Sequence, residues 1–157
     1  MHYFGKSLAR GQQGEELFHM KYPELTRTSG RKGDFTHPVT GLIELKSDFY
    51  SNPKNFFIET QVGYEGEEAP RPGGPYQALE SNIPWFVYQF MMTKKEFWFK
   101  TEELCQWVTE NGRLYKSSTV MNKKWAGFGL LIPIPVLSSI THACPINRQN
   151  DEGPGPV

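Results

Sequence analysis

The sequence predicts an α/β (α+β) protein whose central mixed sheet of about five strands is flanked by helices. Aromatic residues make up 14% of the chain, which favours a sheet-containing globular protein over a helical bundle. Helical apolar spacing recurs between the strand-like segments. A length of 157 residues suits one domain with a real core. We expect a single domain over residues 1–144 and a flexible tail, rich in proline and glycine, over residues 145–157.

The first predicted element is a short amphipathic helix over residues 12–22. Leu17 and Phe18 alternate with charged residues, and Pro23 ends the pattern. Three segments rich in aromatic and β-branched residues follow, and they predict strands at residues 30–37, 41–47 and 55–62. Because these strands are consecutive, we expect them to form a meander.

Residues 64–75 have no periodicity and are rich in glycine, proline and glutamate, so they predict a mobile loop followed by a helical turn at 76–82. The apolar run at 84–92 predicts a buried strand. A strand at 96–100 is expected to pair with it across a turn at 93–95.

Thr101 predicts the N-cap of a helix, with acidic residues in the first turn and Asn111-Gly112 at its end. The last apolar segment, residues 127–136, contains Pro133 and Pro135. Since proline cannot donate to a strand ladder, this segment is expected to be an edge strand or a strand end rather than a central strand.

Composition limits the kinds of partner. The chain has 17 Lys+Arg and 17 Asp+Glu, so nucleic-acid binding would depend on local basic clusters rather than on net charge. Cys105 and Cys144 lack metal-motif spacing and are expected to be free thiols. No apolar run reaches the length of a membrane span, so we expect no membrane association and a cytoplasmic protein.

The chemistry-bearing residues are concentrated in residues 33–48. Side chains alternate along a strand, so Glu44 and Lys46 share one face while Ile43 and Leu45 point into a core. A chain reversal over residues 36–41 brings Asp34 beside Glu44. Two carboxylates and a lysine suit a hard cation held by oxygen ligands next to an ammonium group. This arrangement predicts metal-dependent phosphodiester cleavage.

The order of a helix with Glu15, a strand with Asp34 and a strand with Glu44-Leu45-Lys46 resembles the PD-(D/E)XK nuclease superfamily. Many restriction enzymes, resolvases and phage exonucleases have this fold. The resemblance covers roughly residues 12–61 and implies a restriction-endonuclease-like core. One departure is Gly33, where the family usually has proline.

The resemblance also implies roles for these residues. Asp34 and Glu44 would bind Mg²⁺, for which Mn²⁺ can substitute, and the main-chain carbonyl of Leu45 would be a further ligand. Lys46 would orient or activate water. Glu15 would supply an additional carboxylate, because its three-residue step to Phe18 keeps both near the sheet. Glu16 is the alternative to Glu15.

Basic residues flank the predicted site in sequence. Arg10, Arg31 and Lys32 are expected to contact DNA phosphates, although solubility is the simpler role for surface cations. An isolated Glu-x-Lys on a strand is likewise usually a solvated ion pair. The upstream Asp34 and the Glu-bearing helix favour the nuclease interpretation.

The leading hypothesis is therefore a Mg²⁺-dependent deoxyribonuclease, located in the host cytoplasm if the chain is phage-encoded. The alternative is a catalytically inactive nucleic-acid-binding or assembly protein that retains the nuclease fold. The sequence leaves open whether the protein forms a homodimer; small nucleases that cut both strands often act as twofold dimers.

Overall fold

The computed structural model describes residues 3–28 and 33–146, with side chains from residue 9 onward. The helices are α1 (Tyr3–Lys21), α2 (Gly74–Glu80), α3 (Thr101–Asn111) and α4 (Ile134–Leu137). The strands are β1 (Thr26–Arg27), β2 (Phe35–His37), β3 (Gly41–Asp48), β4 (Asn55–Tyr64), β5 (Arg71–Pro72), β6 (Trp85–Phe90), β7 (Lys95–Lys100), β8 (Lys116–Met121) and β9 (Trp125–Pro133).

The first sheet has five strands in the order β1-β2-β3-β6-β7. Its β3–β6 pair is parallel and its other pairs are antiparallel, so the sheet is mixed. This confirms the predicted α+β class with a central mixed sheet of about five strands. The predicted pairing of β6 with β7 is also confirmed, and Lys94 adopts a left-handed φ of 58° in the turn between them.

The predicted meander is wrong, because β4 does not join β3. Instead, β4 lies in a second sheet of order β5-β4-β9-β8, and β6 occupies the place beside β3. Residues 86–90 of β6 are all buried. A strand that is apolar on both faces belongs inside a sheet covered on both sides, and a parallel position beside β3 provides this.

For residues 127–136 the predicted edge strand is wrong, whereas the alternative of a strand end is confirmed at Pro133. β9 lies between β4 and β8 and pairs with both. Its prolines do not prevent this, since Pro133 is the last residue of β9 and Pro135 belongs to α4. The polar strand β8 was not predicted, and the predicted loop at 64–75 contains β5, which pairs with β4.

Two helix boundaries differ from expectation. The first helix begins at Tyr3 rather than near residue 12. The helix α3 ends at Asn111 as predicted, but its N-cap is Lys100 and Thr101 is the first helical residue. Thr101 Oγ1 is therefore not a cap; it is buried and has no hydrogen-bond partner among the described residues.

Buried side chains form two clusters, one on each face of the first sheet. The inter-sheet cluster lies between the two sheets and contains Phe56, Ile58, Phe86, Tyr88 and Phe99. The helix-side cluster lies under α1 and contains Phe18, Tyr22, Phe35, Ile43, Val87, Trp98 and Ile146. Burial of Ile146 places the first two residues of the predicted tail against the domain, and residues 147–157 lie outside the described residues.

The described cysteines are both free thiols, with Cys105 buried in α3. Within the ranges 3–28 and 33–146, no helix is long and apolar enough to span a membrane.

Candidate functional site

Asp34 and Glu44 are cross-strand neighbours. The β2–β3 ladder pairs Phe35 with Ile43, and the Asp34 N–H donates to the Ile43 carbonyl at 2.9 Å. Asp34 itself lies just before the paired residues of β2, and its N–H meets Ile43, the residue that precedes Glu44. The charge of Glu44 acts on Asp34, so the two carboxyls lie near each other at this edge of the sheet.

A main-chain hydrogen bond fixes the Asp34 side chain. Its Oδ2 accepts a hydrogen bond from the Leu45 N–H at 2.7 Å. The Ile43 carbonyl faces the same strand edge, and alternate residues of a strand direct their main-chain groups to the same edge. The Leu45 carbonyl thus lies on the edge that faces Asp34, where the resemblance would place a metal ligand.

Close packing of α1 on β3 places the carboxylate of Glu15 beside the first sheet. Gly14 is buried against Ser47, and a Cβ at position 14 would lie 2.6 Å from the Ser47 Cβ. Gln89 Nε2 holds this contact by donating to the Gly14 carbonyl at 3.0 Å and to Ser47 Oγ at 2.8 Å. The next residue along the helix is Glu15, which is consequently held beside the sheet.

Glu15, rather than Glu16, reaches the other carboxyls. Its side chain is hydrogen-bonded to Asp34, and its charge acts on both Asp34 and Glu44. Arg27 Nη1 lies 3.8 Å from Glu15 Oε2 and partly balances this charge. Glu16 is exposed. The structure therefore brings together Glu15, Asp34 and Glu44.

The three carboxyls share a site that disfavours negative charge. Burial raises the pKa of Asp34 to about 8, with a further increase from Glu44 and a smaller one from Glu15, while the Leu45 N–H opposes the change. Burial and the charge of Glu15 raise the pKa of Glu44 to about 7. Near neutral pH this cluster consequently retains protons unless a cation replaces them.

Lys46 lies on the same strand face as Glu44. The prediction that Ile43 and Leu45 point the other way is confirmed, because both pack in the helix-side cluster. Lys46 is opposite Tyr88 in the β3–β6 ladder, and Tyr88 belongs to the inter-sheet cluster. The Lys46 side chain therefore projects on the side of the first sheet that faces the second sheet.

The sequence interpretation missed Glu59 of β4. Its carboxyl is largely removed from solvent, and the positive charge of Lys46 acts on it. The available signals were a glutamate within the apolar segment Phe56-Phe57-Ile58 and the unusual Gly73-Gly74 pair. Neither signal specified that these segments meet.

Of the predicted DNA-binding residues, only Arg10 is among the described residues. Arg10 is exposed on α1, and its guanidinium carbon lies 5.6 Å from the centre of the Phe49 ring, just beyond β3. Arg31 and Lys32 lie outside the described residues.

The donor set is compatible with a hard cation, although the side chains are not arranged around one. In the described ranges, no group of three or more His, Cys, Asp or Glu is positioned as a metal site. One Asp34 oxygen is taken by the Leu45 N–H, and Glu15 is hydrogen-bonded to Asp34. Carboxylate and carbonyl oxygens are nevertheless the ligands that Mg²⁺ uses, and binding would displace the shared proton.

No family model, curated protein or solved structure matches the chain. Its function is therefore inferred from the site itself.

Proposed function

We propose that this protein is a Mg²⁺-dependent nuclease that hydrolyses DNA phosphodiester bonds. The observation that carries the proposal is the convergence of Glu15, Asp34 and Glu44 at one sheet edge, beside Lys46. A purely structural role explains this poorly, since gathering buried carboxyls raises their pKa values and costs stability at neutral pH. A divalent cation offsets that cost.

Each carboxyl of the site would have a separate role in binding the metal. Asp34 and Glu44 would be ligands from adjacent strands, the Leu45 carbonyl would be a main-chain ligand, and Glu15 would be a ligand or would orient a metal-bound water. When bound, Mg²⁺ would lower the pKa of its water and neutralise charge on the phosphate. Mn²⁺ would substitute, because it accepts the same oxygen ligands.

Lys46 would supply the fixed positive charge of the reaction. Phosphodiester hydrolysis adds negative charge around phosphorus in the transition state. Because its side chain projects from the same face as Glu44, the ammonium would interact with the phosphate or with the attacking water. A lysine in this place contributes electrostatic stabilisation or a proton relay.

DNA is the proposed substrate class because the site chemistry is that of phosphodiester cleavage and because an exposed cation lies nearby. Arg10 projects from α1 beyond the end of β3 and can contact a phosphate outside the scissile bond. Such contacts add affinity without sequence preference.

The test is a cleavage assay with the purified chain and plasmid, linear, branched and single-stranded DNA, with Mg²⁺, with Mn²⁺ and with EDTA. We expect metal-dependent cleavage that falls by about 100-fold or more in Asp34→Asn and Lys46→Met. Lys116→Met is the matched control, because Lys116 is an exposed lysine on β8. Circular dichroism shows whether each variant is folded.

Two outcomes would contradict the proposal. One is the absence of cleavage of every substrate by the wild-type protein with either metal. The other is undiminished cleavage by folded Asp34→Asn, which would indicate a contaminating nuclease. Metal-independent DNA binding without turnover would support the alternative of an inactive binding protein.

A further inference from the structure

We propose that Glu59 is a further residue of this site and that it positions the Lys46 ammonium. This inference rests on the proposed nuclease function. Glu59 belongs to β4 of the second sheet, whereas Glu15, Asp34 and Glu44 are held by α1 and the first sheet. The second sheet would thereby contribute directly to the reaction.

The first argument is that glycines enclose the Glu59 carboxylate. A Cβ at Gly73 would lie 2.6 Å from Glu59 Oε1, and a Cβ at Gly127 would collide with Oε2. Gly74 has a φ of +51°, and its main-chain N–H opposes the increase in the pKa of Glu59 that burial causes. Gly73, Gly74 and Gly127 are hereafter the glycine cradle. Gly73 and Gly127 leave room for the Glu59 carboxylate, and Gly74 leaves room for the Glu59 main-chain carbonyl, at positions where any other residue would intrude.

The second argument is an irregularity in β4 at this residue. The β4–β9 register pairs Glu59 with Gly129 and then shifts, so that Gln61 is the next paired residue. A bulge inserts one residue into a strand and redirects the neighbouring side chains. In addition, the Gly73 N–H donates to the Thr60 carbonyl at 3.0 Å, which ties the cradle to the bulge.

The third argument is that β4 approaches the face of the first sheet that carries Lys46. Tyr88 lies opposite Lys46 in the β3–β6 ladder, and its hydroxyl accepts a hydrogen bond from the Phe57 N–H at 3.1 Å. Phe57 precedes Glu59 by two residues, so both residues lie close to this face. Burial raises the pKa of Glu59, and the positive charge of Lys46 opposes that increase.

The interaction does not immobilise Lys46 in a contact pair. The ion pairs within 4.0 Å in the described ranges join Lys21 to Glu96, Arg27 to Glu15, Arg71 to Glu67 and His142 to Glu103. Lys46 and Glu59 are not among them. The ammonium is thus attracted toward Glu59 and stays available to a phosphate or a water.

The position of Glu59 would compensate for the repulsion between a bound cation and the Lys46 ammonium. A cation on Asp34 and Glu44 would neutralise their charge and repel the Lys46 ammonium. Glu59 lies outside that ligand set, so the metal would not neutralise its carboxylate. It would hold the ammonium in the site when the metal is bound, which is when the reaction needs it.

The first test is a double-mutant cycle with Glu59→Gln, Lys46→Met and the double variant, measured by urea unfolding without metal. This arm needs no enzymatic activity. We expect each single substitution to change the equilibrium constant of unfolding. The constant of the double variant should differ by about 2-fold or more from the value expected if the two single effects were independent. Additive effects would overturn the proposed Glu59–Lys46 interaction.

The second test uses the same variants in DNA cleavage with Mg²⁺. We expect Glu59→Gln to lower kcat by about 10-fold with little change in KM, and to have no further effect when Lys46 is already methionine. Full kcat in folded Glu59→Gln, while Lys46→Met is impaired, would overturn the positioning role even if the nuclease function holds. Absence of cleavage by the wild type would instead contradict the function, and the unfolding cycle would still decide the interaction.

A third variant tests the cradle. Gly127→Ala places a methyl group against Glu59 Oε2 and should lower kcat in the same way as Glu59→Gln. In a Glu59→Ala background this collision is absent and only a 3.3 Å contact with the Trp125 ring remains, so the added methyl should have a much smaller effect. Gly63→Ala is the matched control, because its Cβ would make only an ordinary contact of 3.6 Å with the Phe128 ring. Equal losses from Gly127→Ala with and without Glu59 would contradict the cradle.

Discussion

The Leu45 N–H donates a hydrogen bond to Asp34 Oδ2 at 2.7 Å, and the charge of Glu44, the residue before Leu45, acts on Asp34. The strand β3 therefore fixes the Asp34 carboxyl through a main-chain N–H and carries the second carboxyl as the side chain of its own Glu44. Glu15 adds a third acid from α1. The resulting cluster has measurable consequences for stability, and the proposed metal site can be tested on the same residues.

The stability of the metal-free protein should fall as pH rises from about 4 to about 8. The pKa of Asp34 increases from 3.8 to about 8 on folding, so the folded state binds more protons than the unfolded state in this interval. Stability then decreases with pH and levels off above the folded pKa. Urea unfolding across this range, with EDTA present, measures the effect.

The control for this pH dependence is Asp34→Asn, which removes the main titrating group. It should unfold at higher urea than the wild type at pH 8 and show a smaller decline with pH. Glu65→Gln, which changes an exposed loop carboxyl, should retain the wild-type slope. The same slope in Asp34→Asn and the wild type would show that Asp34 does not have the raised pKa.

Millimolar Mg²⁺ should raise the thermal unfolding midpoint of the wild type. A ligand that binds only the folded state at a hundred times its Kd adds about 2.7 kcal/mol, which is about 5 °C or more for a chain of this size. Asp34→Asn and Glu44→Gln should lose most of the increase, because each removes a proposed ligand. Differential scanning calorimetry measures it, and an equal increase in Glu44→Gln would exclude this site as the location of the bound metal.

Gly14→Ala should destabilise the protein by about 1–3 kcal/mol and reduce the effect of Mg²⁺. The new Cβ would lie 2.6 Å from the Ser47 Cβ, so α1 and Glu15 must move away from β3. Gly11→Ala is the matched control in the same helix, since a Cβ there meets no atom within 4 Å. It should stabilise the helix by about 0.5–1 kcal/mol. Equal effects of the two substitutions on unfolding would contradict close packing at Gly14.

Tyr88→Phe should cost about 1–3 kcal/mol of unfolding free energy. The buried Tyr88 hydroxyl donates to Asp48 Oδ2 at 2.6 Å and accepts from the Phe57 N–H, so it links the two sheets. Removing it leaves both partners without this hydrogen bond. Tyr64→Phe, at an exposed position of β4, should change stability by less than about 0.5 kcal/mol in the same urea titration. A neutral Tyr88→Phe would show that the sheets do not depend on this link.

Local patterns predicted much of the candidate site. Alternation at Ile43, Glu44, Leu45 and Lys46 defines the two faces of β3, and it depends only on strand geometry. The turn before Gly41 made Asp34 the neighbour of Glu44. Glu15 was preferred over Glu16 from its spacing to Phe18, and the structure places Glu15 beside Asp34.

The pairing of distant strands was not predictable in the same way. An aromatic strand such as β4 has the same local pattern whether it joins β3 or a second sheet. Its place is decided by which surfaces it buries, and Phe56 and Ile58 bury theirs against the face formed by Phe86 and Tyr88. Likewise, Pro133 is compatible with an edge strand or with a strand end, and only the structure shows that it ends a central strand.

The sequence by itself determined the α+β class, the helix α3, the β6–β7 pairing and the faces of β3, because each depends on residues close together in the chain. Only the tertiary structure decided that β4 belongs to a second sheet and that Glu59 packs against glycines distant in the chain. Gly73 and Gly74 come from one segment and Gly127 comes from another. Contacts of this kind arise from long-range burial, and no local pattern of residues encodes them.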